Sequence, residues 1–198
     1  MIITVDGLDG SGKSTLAKKL AERLGFKYID KPIYQLFNVS GDDNILYKPI
    51  YQLQDAVYNK TESDKLKVWF TGMSLLYIKE VLGSQNIIVD RGLLSCYAFN
   101  GNEKSEEVFE ALLKLGVWFD MSIFLYVSPE VRKQRLLKRN PNDPDLKMDK
   151  IMELNYNPIN SFLGKHTDLP IIKINTDTLT SDEVFEQAIA SLKSLSII

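Results

Sequence analysis

The sequence predicts a three-layer α/β fold, a five-stranded parallel sheet with helices on both faces. Three observations predict it. Short apolar runs rich in β-branched residues alternate with longer stretches of helical spacing, which is the pattern of βαβ units with right-handed crossovers. The run at 86–90 holds three consecutive apolar residues, Ile87 to Val89, before its final carboxylate, as suits a parallel strand covered on both faces. The 198 residues, 44% hydrophobic and 25% charged, suit one soluble domain with a sizeable core.

Ile2-Ile3-Thr4-Val5-Asp6 is short and β-branched and reads as the first buried strand. From Lys13 the spacing turns helical. Leu16, Leu20 and Leu24 recur every four residues, and Gly25 stops the helix. Phe26 to Asp30 is a second strand, closed by Pro32. Tyr34 to Thr61 is mixed, with a turn at Gly41-Asp42-Asp43-Asn44 between helical pieces. Ser63 to Val81 reads as a helix whose apolar face should carry Leu66, Trp69, Phe70, Met73, Leu76 and Tyr77. Asn86 to Asp90 is the third strand. Glu106 to Leu115 is a helix ended by Gly116, and Met121 to Val127 is the fourth strand. Ser128-Pro129 opens the next helix, because serine caps and proline suits the first turn. Asn140 to Asp145 is a polar loop with two prolines, followed by a helix over Met148 to Phe162. Ile171 to Asn175 is the fifth strand, and Thr180-Ser181-Asp182-Glu183 is a capping box that opens the last helix. No repeat or linker interrupts the chain, so residues 1–198 are expected to form a single domain.

The net charge of −2 leaves no electrostatic footprint for a nucleic acid polymer, so any such ligand should be as small as a mononucleotide. No apolar run approaches the roughly 20 residues that span a bilayer. Met1 leads directly into a strand rather than a signal peptide. Cys96 is the only cysteine, which fits a reducing cytoplasm and reads as a small buried packer. His166 has no serine or cysteine partner, and no residues fall at zinc-ligand spacing.

Gly7-Leu8-Asp9-Gly10-Ser11-Gly12-Lys13-Ser14-Thr15 matches GxxxxGK[ST] between a strand and an amphipathic helix. A triphosphate is a dense anion. Glycines let backbone N–H groups turn inward around it, and the helix starting near Lys13 aims its positive end at the same phosphates. Lys13 should reach the β- and γ-phosphates of ATP, and the Ser14 hydroxyl should ligate Mg²⁺. Asp9 should stand near the transferred group, to orient a substrate hydroxyl or a metal-bound water.

Asp90 ends an apolar strand, where a carboxylate supports Mg²⁺ in such proteins. Arg91 follows and offers a planar fork for a phosphoryl group. Ligands of parallel sheets bind at the carboxyl ends of the strands, which places Asp90 and the glycine loop together. Arg132, Arg135 and Arg139 share a helix face next to a lid expected at about 139–147, where positive charge and exclusion of water would serve phosphoryl transfer. Phe70 and Tyr97 are candidates to stack on a nucleobase, and so is Trp69. Lys31 is a candidate contact for an acceptor phosphate.

These residues carry a resemblance to the P-loop nucleoside and nucleotide kinases, and within them to the thymidylate kinase group. Val5 to Thr15 is similar to that group's phosphate loop, including Asp9. Asp90-Arg91-Gly92-Leu93-Leu94-Ser95-Cys96-Tyr97-Ala98-Phe99-Asn100 resembles its DRYxxSxxAYQ segment, Asp120 to Glu130 its fourth strand and following turn, and Arg135 and Arg139 its arginines before the lid. The resemblance implies the P-loop NTPase fold with strand order 2-3-1-4-5. It implies transfer of the γ-phosphoryl group of ATP, with Mg²⁺, to a nucleoside monophosphate. It also implies catalytic roles for Asp9, Lys13, Asp90, Arg91, Arg135 and Arg139. A homodimer is left open.

The chain departs from that pattern in four places. Gly92 replaces the tyrosine of DRY, and Asn100 replaces a glutamine. Asp30-Lys31-Pro32-Ile33 stands where the group has Arg-Glu-Pro-Gly-Gly. Phe70-Thr71-Gly72-Met73-Ser74 lacks the group's arginine. Two alternatives therefore stay open: a deoxynucleoside kinase, and a non-catalytic nucleotide-binding switch.

Overall fold

The computed structural model describes residues 1–30, 32–36, 47–142, 146 and 156–198. The strands are β1 (Ile2–Gly7), β2 (Lys27–Ile29), β3 (Ile87–Asp90), β4 (Met121–Tyr126) and β5 (Ile171–Asn175). The described helices are α1 (Lys13–Leu24), α2 (Pro32–Gln35), α3 (Tyr47–Asn59), α4 (Asp64–Leu82), α5 (Leu93–Asn100), α6 (Glu106–Lys114), α7 (Pro129–Arg139), α8 (Asn157–Lys165) and α9 (Ser181–Ser194). The strands form one parallel sheet of order β2-β3-β1-β4-β5, as expected. β1 is central. Val5 is level with Asp90 on one side and with Ile123 on the other, so the loop leaving β1 emerges beside Asp90.

Alternation along β1 sorts the two helical layers. Ile3 and Val5 pack with Leu16 and Leu20 of α1 and Ala188 and Leu192 of α9. Ile2 joins the opposite core, where Phe109, Phe124 and Phe162 lie under α4, α5, α6 and α8. Thr4 and Asp6 point to that second side too, and both are buried. The helix ends follow the caps in the sequence. Ser128 accepts from the Val131 N–H, Thr180 and Glu183 form the reciprocal box, and Ser63 accepts from the Leu66 N–H at the start of α4.

Some expectations change. β2, β3 and β4 are trimmed by a residue at one or both ends. α4 buries only part of the expected face: Phe70 is buried and Leu76 packs on the core as expected, joined by Val68, Leu75 and Ile78, while Leu66, Trp69 and Met73 are 46%, 49% and 40% exposed. α4 is apolar on several sides, so periodicity does not choose its face. The bare backbone at Gly72 does, since a Cβ there would lie 2.4 Å from Leu112 Cδ1 of α6. α5 was not expected at all. Nearly all of its residues are buried, so it shows no polar face for periodicity to detect. The turn at 41–44, Lys31, and residues 148–155 of the helix expected over 148–162 lie outside the described residues. Among the described residues, no helix is long and apolar enough to cross a membrane.

Candidate active site

β1 hands the chain to a tight loop that ends at α1. Gly10 and Gly12 have φ of 81° and 96°, where glycine is favoured. Gly10 is constrained twice over, because a Cβ there would lie 2.9 Å from Arg132 Cγ. The Ser11 N–H closes the loop on the Leu8 carbonyl at 3.1 Å. The first turn of α1 holds no acidic residue, so its positive end stays available to an anion.

Lys13 is only 5% exposed. Its Nζ donates to the Leu8 carbonyl at 2.8 Å and lies 3.7 Å from Asp9 Oδ1. Burial pushes this ammonium down to about 8; the charge of Arg91 adds to the push, and Asp9 and Asp90 resist it. Asp9 Oδ1 accepts from Arg91 Nη2 at 2.5 Å. Burial works against the Asp9 charge, but Arg91, Lys13 and Arg139 outweigh it, so the carboxyl titrates below its ordinary range. Lys13, Asp9 and Arg91 thus form a line of alternating charge at the mouth of the loop.

Asp90 is buried at the end of β3. Burial pushes its carboxyl up, against the Ser14 hydroxyl and the charges of Lys13 and Arg91. The Tyr28 hydroxyl donates to Oδ2 at 3.2 Å, while Oδ1 has no hydrogen-bond partner among the described residues. An orphaned, buried carboxylate oxygen beside a helix-start hydroxyl is the kind of hard oxygen pair a divalent cation takes.

Arg91 has φ of 81°, a left-handed conformation uncommon for a residue with a side chain. Gly92 follows, and a Cβ there would meet Thr4 Cγ2 at 2.7 Å and Asp6 Oδ2 at 2.8 Å. That crowding explains why a tyrosine is not carried at this place. Asp6 itself is fully buried and accepts hydrogen bonds from β4 and α5 as well as from β1.

Two cavities flank this line. The larger, about 560 Å³, runs between α4 and α5 and is lined by Arg91, Ser95, Cys96, Phe99 and Asn100 on one wall and by Lys67, Phe70, Thr71 and Ser74 on another, with Tyr58 and Asp30 at its sides. The smaller, about 210 Å³, lies behind the loop between Gly12, Thr15, Arg135, Thr176 and Leu179.

Most of the expected residues converge. Gly7, Gly10, Ser11, Gly12, Lys13, Ser14 and Thr15 form the loop and the start of α1, and Asp9, Asp90 and Arg91 meet at its mouth. Phe70 lines the larger cavity, edge-on to Tyr58 at 6.1 Å between ring centroids.

Tyr97 is a correction. It is 6% exposed and packs on Phe162 at 4.4 Å and Phe109 at 4.7 Å, because α5 turns positions 95, 96, 99 and 100 to the cavity and position 97 to the core. Trp69 faces outward from α4 and is a second correction. Arg132 of the arginine face of α7 is a third, whereas Arg135 lines the smaller cavity. Arg132 is buried under Gly10, and Arg135 donates to the Gly10 carbonyl at 3.4 Å, to Thr176 Oγ1 at 2.9 Å and to the Thr176 carbonyl. Arg139 is exposed, and its charge reaches Asp9. Residues 143–145 and 147 of the expected lid lie outside the described residues.

Sequence reasoning missed Asp6, Lys67 and Thr176. Lys67 had a signal, since it falls on one helical face with Phe70, Thr71 and Ser74. Asp6 had one too, as a carboxylate inside a buried strand. Thr176 had none, because only the fold brings it to the loop.

A glycine loop at the first turn of a 2-3-1-4-5 parallel sheet, with a second cavity facing it, defines a P-loop kinase. The AAA domain family matches residues 3–156. A probable thymidylate kinase of Thermoplasma volcanium is 30% identical over 146 residues, covering 71% of this chain and 73% of that one. A probable thymidylate kinase of Picrophilus torridus is 28% identical over 209 residues, covering 97% and 95%. The solved thymidylate kinase of Candida albicans shares the fold, with a TM-score of 0.67 at 17% identity, covering 98% of this chain and 92% of that one. The chain belongs to the AAA domain family and is a nucleotide kinase of the thymidylate kinase-like kind.

Proposed function

We propose that this kinase binds ATP with Mg²⁺ at Gly7 to Thr15 and passes the γ-phosphoryl group to a nucleoside monophosphate in the larger cavity. One observation carries the reading: Arg91 bonds to Asp9 at the phosphate loop and also lines the cavity opposite. A switch has no use for a second cavity facing its γ-phosphate, whereas a kinase needs one.

The loop amides and Lys13 hold the donor phosphates, and the smaller cavity beside Arg135 and Thr176 takes the donor base. Ser14 and Asp90 would hold Mg²⁺, directly or through water, and the ion would offset charge on the transferring phosphate. Asp9 fixes Arg91, and Arg91 faces both the moving group and the acceptor phosphate. Lys67 lines the same cavity, and Asp64 lies 3.9 Å from its Nζ, a loose pairing that an acceptor phosphate can displace. Lys67 thereby takes up part of the task left by the arginine missing from the stretch Phe70 to Ser74. The chemistry is positioning and electrostatics throughout. The single thiol, buried at Cys96, suits work in a reducing cytoplasm.

Asp30 lines the cavity as well and favours a second reading, a nucleoside acceptor whose hydroxyl it would deprotonate. The test is a panel of nucleosides and monophosphates incubated with ATP and Mg²⁺, read as ADP release. Turnover with a monophosphate is expected. Turnover with nucleosides alone selects the second reading, and slow background hydrolysis across the panel overturns both.

A further inference from the structure

We infer that Asp6 is a positioning residue, the buried clamp that ties the acceptor wall to the phosphate loop. This rests on the kinase reading above. Asp6 has no exposed surface and accepts five hydrogen bonds: Thr4 Oγ1 at 2.9 Å and Ser122 Oγ at 3.0 Å on Oδ2, and Gly92 N at 2.7 Å, Ser95 N at 2.8 Å and Ser95 Oγ at 2.6 Å on Oδ1. The two amides belong to Gly92, the N-cap of α5, and to Ser95 in its first turn, where a carboxylate is favoured. The Gly7 N–H in turn reaches Ser95 Oγ at 3.4 Å. A continuous polar path therefore runs from the first glycine of the donor loop, through Ser95, to the carboxylate that holds Gly92.

Two features point beyond stability. A buried carboxyl is a poor way to stabilise a core, since apolar residues of like volume often do as well or better. Arg91, next to the clamped Gly92, sits in a left-handed conformation held on one side by its N–H on the Val5 carbonyl and on the other by Asp6. Such strain persists only where the surroundings over-determine it. Asp6 thus acts on the reaction through Arg91, and through Ser95, Cys96, Phe99 and Asn100 of the cavity wall.

Asp6→Ala removes the clamp. Asp6→Asn keeps an oxygen for the α5 amides and turns an NH₂ toward hydroxyls that can rotate to accept it. With both variants assayed well below their Tm, Asp6→Ala should raise the acceptor KM and lower kcat, with a combined loss of at least about tenfold, because a misplaced arginine is costly. The Kd for ADP should stay within about threefold by calorimetry, and Asp6→Asn should recover most of the loss. An Asp6→Ala protein of lower Tm and wild-type kinetics overturns the inference. If Asp6→Ala does not fold, Ser95→Ala should show a smaller rise in acceptor KM, and an unchanged KM overturns the inference. Arg91 side-chain resonances test the clamp without any turnover. They should move toward free-guanidinium positions in whichever of these two variants folds and stay in place in Asp6→Asn, and unmoved resonances in both Asp6→Ala and Ser95→Ala sink it. A wild-type protein inert toward every acceptor sinks the proposed reaction alone.

Discussion

The donor loop and the acceptor cavity are built from different material. The loop is one unbroken stretch, residues 7–15, and its chemistry lies in backbone N–H groups, a helix end and Lys13. The cavity is assembled from four separate helices, α2, α3, α4 and α5, spread over residues 32–100, and its chemistry lies in side chains. Backbone conformation is written in local residue types, because only glycine readily takes the φ that Gly10 and Gly12 require. The direction of a side chain depends on how its helix is rotated in the fold, and local residue types do not write that. The same sequence therefore announces its donor site and conceals its acceptor site.

The sharpest way to break this contrast is to remove the ammonium from the loop. Lys13→Ala should cut turnover by roughly 10³-fold or more and do so equally for every acceptor, since the loss falls on the transferring phosphate. Steady-state kinetics against two acceptors checks it. Full turnover, or a loss confined to one acceptor, removes the proposed donor site.

The cavity should respond in the opposite, acceptor-dependent way. Lys67→Met keeps the apolar stem along α4 and deletes the charge. A rise of about tenfold in KM for a monophosphate is expected, with kcat little changed, because the contact is made before and during transfer alike. Kinetics with a monophosphate and its parent nucleoside decides the assignment. Equal KM changes for both assign Lys67 to the base or sugar rather than to the phosphate.

Where the sequence could be read follows the same division. The parallel sheet, the caps at Ser128 and Thr180, and the meeting of Asp9, Asp90 and Arg91 follow from local chemistry and the rules of parallel sheets, whereas the strand order is legible only through the kinase resemblance. The face of α4 is only partly legible, because Leu66, Trp69 and Met73 look as suited to a core as Val68, Leu75 and Ile78. Gly72 against Leu112 decides between them, and that contact joins residues 40 positions apart. Tyr97 was misplaced for a like reason: α5 is buried nearly all round, and only its neighbours show which positions meet the cavity. Asp6 lies in β1 as the sequence indicates, but its five donors come together only in the fold.

The smallest expected effect is the most specific to the loop, a dependence on pH centred on Lys13. Burial and the nearby Arg91 hold its ammonium at about 8, below the unfolded value of 10.5. Below pH 8 the group is charged both in the folded and in the unfolded chain, and its burial penalty is present in full. Between about 8 and 10.5 the unfolded chain binds more protons than the folded one, so this group's contribution to stability rises with pH. Polyphosphate binding should run the other way, because the phosphates favour the charged lysine that the free protein has given up. ADP affinity, measured without Mg²⁺ by calorimetry, should be flat below pH 8 and fall by up to about tenfold from pH 8 to 9. Lys13→Met removes the titrating group and serves as the reference: the difference in Tm between it and the wild type should shift in favour of the wild type across the same window, and its ADP affinity should lack the drop. A wild-type affinity that stays level through pH 9 would place the ammonium outside the phosphate site.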